Sequence, residues 1–60
     1  MDIVVYGMKT REDAIVAYGN CIIKPCIGES MEINEQLYKV KQICTDYGKN
    51  TVFVFVDKYK

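Results

Sequence analysis

Two stretches of the chain consist of apolar residues that favour β-strands. Residues 3–6 are β-branched or aromatic and end at Gly7, and residues 51–56 combine valine, threonine and phenylalanine. Neither stretch alternates apolar with polar residues, as a strand with one solvent-exposed face does. A third strand is predicted at 21–24, ending at Pro25, which cannot donate a hydrogen bond to a neighbouring strand. The pattern therefore predicts a three-stranded sheet whose two faces both need cover.

Residues 30–47 show the spacing of an amphipathic helix. Their apolar positions are separated by four and three residues, and one further position widens the stripe: Ile33, Leu37, Val40, Cys44 and Tyr47, with Ile43. Polar residues take the opposite side: Glu32, Glu35, Lys39, Gln42 and Asp46. Ser30 or Asn34 is a suitable N-cap, and Gly48 is a suitable C-terminal stop. The spacing predicts one long helix over about residues 30–47.

Residues 11–18 support two interpretations. Thr10 with Asp13 three residues later resembles a capping box, and Gly19 would end a short helix over 11–18. The β-branched and aromatic side chains of Ile15, Val16 and Tyr18 favour a strand instead. A short apolar run does not discriminate well between the two, and the helix is slightly preferred.

Together these elements predict a small two-layer α/β domain that occupies residues 1–60, with the long helix on one face of the three-stranded sheet. If 11–18 is helical, the order is β-α-β-α-β with right-handed crossovers. If 11–18 is extended, two strands precede the helix and the arrangement is α+β. The second face of the sheet is then expected to meet the short helix, a second copy of the chain or a binding partner.

The composition narrows the classes of partner. Lysine plus arginine and aspartate plus glutamate each number 8, so the formal net charge is zero, and nucleic-acid binding is not expected.

The longest purely apolar run, 52–56, is too short to span a membrane, and no secretory signal pattern is visible. We therefore expect a cytoplasmic protein, and three cysteines suit a reducing compartment. Proline and arginine occur once each, a usage typical of AT-rich genomes such as those of many phages and mobile elements.

Residues that carry catalysis are scarce, so neither an enzyme nor a cofactor is expected. The chain has no histidine, the commonest general base and metal ligand. Its glycines match neither a P-loop nor a dinucleotide-binding fingerprint. Three cysteines, Cys21, Cys26 and Cys44, are too few for a structural zinc site of four ligands, so no metal site is predicted. A thiol or metal function through Cys21 and Cys26 is kept as a third hypothesis, with Cys26 the most reactive thiol and Cys44 in the core.

The leading functional hypothesis is a non-enzymatic protein-interaction module, for example an inhibitor or regulator of a larger host enzyme encoded by a phage or mobile element. Large aromatic side chains are enriched in interfaces, and four are predicted to bind the partner: Tyr38, Phe53, Phe55 and Tyr59. The alternative is a homodimer that binds a small ligand or nucleotide at the turn after the first strand, through Gly7, Lys9 and Thr10. The expected partner is thus a protein target, a second copy of the chain, or both.

Overall fold

A computed structural model describes residues 1–9, 14–22 and 24–59, and these residues contain five β-strands and no helix. The strands are β1 (Asp2–Gly7), β2 (Ala14–Tyr18), β3 (Ser30–Ile33), β4 (Gln36–Asp46) and β5 (Thr51–Lys58). The predicted first and last strands are confirmed as β1 and β5. The predicted α/β class, with a long helix on a three-stranded sheet, is wrong because the described part of the chain is all-β.

The five strands form one mixed sheet in the order β2-β1-β5-β4-β3. β1 and β5 lie side by side and run parallel, whereas the other neighbours are antiparallel. The sheet curls into a half-barrel. β1 and β5 therefore present apolar side chains on both faces of the sheet.

The core lies on the inner face of the curled sheet. Its buried side chains come from four strands: Ile3, Val5, Ile33, Val40, Val52, Val54 and Val56. Partly buried side chains, including Met1, Ile15 and Met31, pack around this cluster. By curling, the sheet therefore buries one of its own faces, which the predicted long helix was expected to cover.

The predicted helix over 30–47 is a β-hairpin whose loop consists of Asn34 and Glu35. Both residues have positive φ angles, 49° and 67°, and they join the cross-strand pair of Ile33 and Gln36. Positive φ at both central positions is the geometry of a type I′ turn, which suits the right-handed twist of the flanking strands. Asn-Gly is the usual sequence of such a turn, so the Asn-Glu pair gave a weak signal.

A β-bulge explains why the rest of this segment has helical spacing. The pairing of β4 with β5 shifts by one residue between Val40 and Gln42. The side chains that pack on the core are therefore two residues apart before the bulge and three apart after it, at Tyr38, Val40 and Ile43. An extra residue in one strand of an antiparallel pair produces this change of spacing.

Two shorter predictions are also corrected. Residues 14–18 form β2, so the strand interpretation of this segment is right and the helix preferred for 11–18 is wrong there; residues 10–13 lie outside the described residues. The described residues of 21–24 are not in a strand, although the Cys21 N–H donates to the Met1 carbonyl at 2.6 Å.

Gly48, predicted to end a helix, lies in the β4–β5 turn, where its N–H donates to Asp46 Oδ1 at 3.0 Å. Across the described residues, no helix has the length and apolarity needed to span a membrane.

Candidate functional site

An aromatic cluster occupies the face of the central strands that lies opposite the core. Val4 pairs with Phe53 and Tyr6 with Phe55, and strand alternation directs these four side chains away from Val5 and Val54. The Tyr6 ring stacks on Phe55 with centroids 5.7 Å apart and lies 6.2 Å from the ring of Phe53. All four side chains keep intermediate solvent exposure. We call Val4, Tyr6, Phe53 and Phe55 the outer aromatic face.

Small or flexible side chains flank the outer aromatic face on both sides. Ala17 of β2 pairs with Val4, and on the other side Cys44 and Gln42 of β4 pair with Phe53 and Phe55. Ala17, Gln42 and Cys44 are all exposed. The outer aromatic face is therefore flanked by exposed side chains across the width of four strands, β2, β1, β5 and β4.

The charges around this face differ between its two ends. Asp2 and Asp46 both pair with Thr51, beside Phe53. The Asp2 carboxylate accepts a hydrogen bond from the Asn20 N–H at 3.3 Å, and the Asp46 carboxylate accepts from the Gly48 and Lys49 N–H groups. These bonds hold two negative charges at one end of the face. At the other end, Lys39 pairs with Asp57, so the charges there are mixed.

A second concave feature lies where the parallel strands β1 and β5 end. This end cleft has a volume of about 670 Å³ and is lined by apolar, aromatic and charged side chains that include Ile15, Val56, Tyr38, Tyr59, Lys9 and Lys58. Gly7 pairs with Val56, and the Met8 N–H donates to the Val56 carbonyl at 2.9 Å, so pairing continues one residue beyond β1. The cleft is thus built on the fixed ends of the two central strands.

The structure divides the four predicted partner-binding residues between these two features. Phe53 and Phe55 lie on the outer aromatic face, as their position on one face of a strand suggested. Tyr38 packs against the core on the inner side and, with Tyr59, lines the end cleft. The Tyr59 hydroxyl lies 3.0 Å from Ser30 Oγ.

The predicted ligand-binding turn also meets the end cleft. Gly7 and Lys9 line it, whereas Thr10 lies outside the described residues. Val4 and Tyr6 were not predicted as members of the aromatic face. The signal that could have found them is the parallel pairing of β1 with β5, which sequence periodicity does not reveal.

The three cysteines are free thiols. Cys21 is partly buried, whereas Cys26 and Cys44 are exposed. The predicted core position of Cys44 is wrong, because on a strand rather than a helix its side chain joins the outer face beside Phe53. Among the described residues, no three side chains of the metal-ligating types lie close enough together to hold a metal ion.

Comparison of the chain with protein-family models, with curated proteins and with solved structures finds no match. The assignment of a function therefore depends on the geometry of the outer aromatic face and the end cleft.

Proposed function

We propose that this protein is a non-enzymatic interaction module that binds another protein through its outer aromatic face. The observation that carries the proposal is the cluster of Tyr6, Phe53 and Phe55 on the solvent side of the two central strands, where each ring keeps part of its surface exposed. A cluster of partly exposed apolar side chains on one side of a sheet supports an interaction site in a small protein.

The sheet holds the backbone beneath the outer aromatic face in a fixed conformation. β1 and β5 each have a hydrogen-bonded neighbour on both sides, so the backbone beneath the rings is held in place. Tyrosine and phenylalanine have few rotatable bonds, and the stacked contact of Tyr6 with Phe55 restricts them further. A partner that covers the rings gains apolar contact while little side-chain freedom is lost.

The charges indicate the chemistry of the partner. Asp2 and Asp46 hold negative charge beside Phe53, so the complementary surface has an apolar centre with lysine or arginine next to it. The same carboxylates would repel the phosphates of a nucleic acid, whose binding requires basic side chains. A larger enzyme that this protein inhibits or regulates fits that description.

The experiment compares four forms of the tagged protein recovered gently from the cells that produce it: wild type, Phe53→Ala, Cys44→Arg and Tyr47→Ala. Native mass spectrometry measures the stoichiometry of any complex, and the affinity is then measured with the purified partner. Phe53→Ala removes one ring of the cluster. Cys44→Arg places a bulky charge beside Phe53 from an exposed position, so it blocks the face without removing packed atoms. Tyr47→Ala is the control, because this aromatic side chain is 89% exposed in the turn.

We expect a heterocomplex of fixed stoichiometry that Phe53→Ala and Cys44→Arg each weaken at least about tenfold, as loss of a central aromatic contact does. Tyr47→Ala should bind as the wild type does. Recovery of the bare monomer or a homodimer contradicts the proposal, and so does a folded Cys44→Arg variant that keeps its affinity for the partner. Circular dichroism of each variant establishes that it is folded.

A further inference from the structure

We infer that the end cleft binds a small planar anion, of the class of aromatic carboxylates and aromatic phosphate monoesters. This site is separate from the outer aromatic face and does not depend on the proposed interaction with a protein. Three features of the cleft lead to this ligand: fixed aromatic walls, an apolar base and an excess of positive charge.

Two tyrosine rings are held in place at the cleft. Tyr38 is partly buried against the core. Tyr59 is 41% exposed and makes two hydrogen bonds, from its N–H to the Leu37 carbonyl at 3.1 Å and between its hydroxyl and Ser30 Oγ at 3.0 Å. Rings that are held before the ligand arrives lose little freedom on binding, and flat aromatic surfaces favour a flat ligand.

The base of the cleft is apolar and preformed. Val56 is buried, Ile15 packs against the core, and both line the cleft. The hydrogen bond from the Met8 N–H to the Val56 carbonyl fixes the chain at the point where it leaves β1. The volume of about 670 Å³ falls within the range of sites that bind small ligands.

The charged side chains at the cleft favour an anion. Lys9 and Lys58 both line the cleft and are exposed to solvent. Asp57 is the acidic residue among the lining residues, and it pairs across the sheet with Lys39. Two lysines therefore meet the ligand beside one carboxylate, and a lysine ammonium binds carboxylate or phosphate as a point charge.

The test is a titration followed by two-dimensional ¹⁵N–¹H NMR of the full chain. The probes are 2-naphthoate and phenyl phosphate, with neutral 2-naphthamide as the uncharged counterpart of the first. The variants are Lys9→Ala and Lys58→Ala. Lys49→Ala is the matched control, because Lys49 is equally exposed but lies in the turn before β5, at the opposite end of that strand.

We expect at least one of the two anions to shift the amide signals of Gly7, Met8 and Lys58 and to bind more tightly than 2-naphthamide. Each cleft-lysine variant should weaken that anion by about two- to fivefold, the range for an exposed charge pair, and Lys49→Ala should leave its affinity unchanged. Three results overturn the inference: no shifts with either anion at millimolar concentration, shifts confined to residues outside the cleft, or equal affinities for all three variants. None of these results bears on the outer aromatic face, whose test uses different residues and a protein partner.

Discussion

Replacing Glu35 by glycine should stabilise the protein, although it removes a side chain and adds a flexible residue. Glu35 is the second residue of the β3–β4 loop and has a φ angle of 67°. A left-handed backbone conformation costs a residue with a Cβ atom about 1–2 kcal/mol, and glycine avoids that cost. Glycine also gains about 0.5–1 kcal/mol of conformational freedom in the unfolded chain, which opposes the effect. Subtracting the midpoints of the two ranges, about 1.5 and about 0.75 kcal/mol, predicts a gain of about 0.75 kcal/mol in the free energy of unfolding.

That gain is large for a chain of this length. A domain of 60 residues is expected to have a free energy of unfolding of roughly 3–9 kcal/mol. Because the entropy of unfolding scales with chain length, each kcal/mol corresponds to about 4–8 °C in Tm for a domain of this size. Glu35→Gly should therefore raise Tm by about 3–6 °C, measured by far-ultraviolet circular dichroism on heating.

Glu32→Gly is the control, because it makes the same replacement in β3, where the backbone is extended. Glycine within a strand should lower stability by about 0.5–1 kcal/mol. Opposite signs for the two variants would show that the positive φ of Glu35, and not the loss of a glutamate, determines the result. A decrease in Tm for Glu35→Gly would refute both the assignment of a two-residue turn at Asn34 and Glu35 and the magnitude derived from it.

Three further predictions concern the core, a side-chain hydrogen bond and the thiols. Val54→Ala should lower the free energy of unfolding by about 1.5–3 kcal/mol in urea titrations, because Val54 is fully buried on the central strand; a loss below about 0.5 kcal/mol would contradict that placement. Ser30→Ala should lower it by only about 0.5 kcal/mol, since the bond to the Tyr59 hydroxyl is exposed; a change above about 2 kcal/mol would show that Ser30 has a larger structural role. In the native protein, Cys26 and Cys44 should react with a thiol reagent faster than the partly buried Cys21, and mass mapping of the labelled peptides would show any other order.

The candidate sites were only partly predictable from the sequence. Phe53 and Phe55 could be placed on one face of a strand by counting alternate residues, and the structure puts them together on the outer face. Tyr6 joins them because β1 lies parallel to β5, a pairing between segments separated by most of the chain. Tyr38 was expected beside the phenylalanines, but it lies on the inner side because residues 36–46 form a strand rather than a helix.

The sequence by itself determined where β1 and β5 lie, since their runs of β-branched and aromatic residues favour strands. It also determined that no histidine is present for catalysis or metal binding. The tertiary structure decided the rest. A turn at Asn34 and Glu35 and a bulge after Val40 make this segment a β-hairpin, although the spacing of its apolar residues resembles that of a helix. The physical reason is that periodicity records only how neighbouring residues face, whereas strand pairing and sheet curvature depend on contacts between distant segments. Those contacts decide which apolar face becomes the core and which remains partly exposed to solvent.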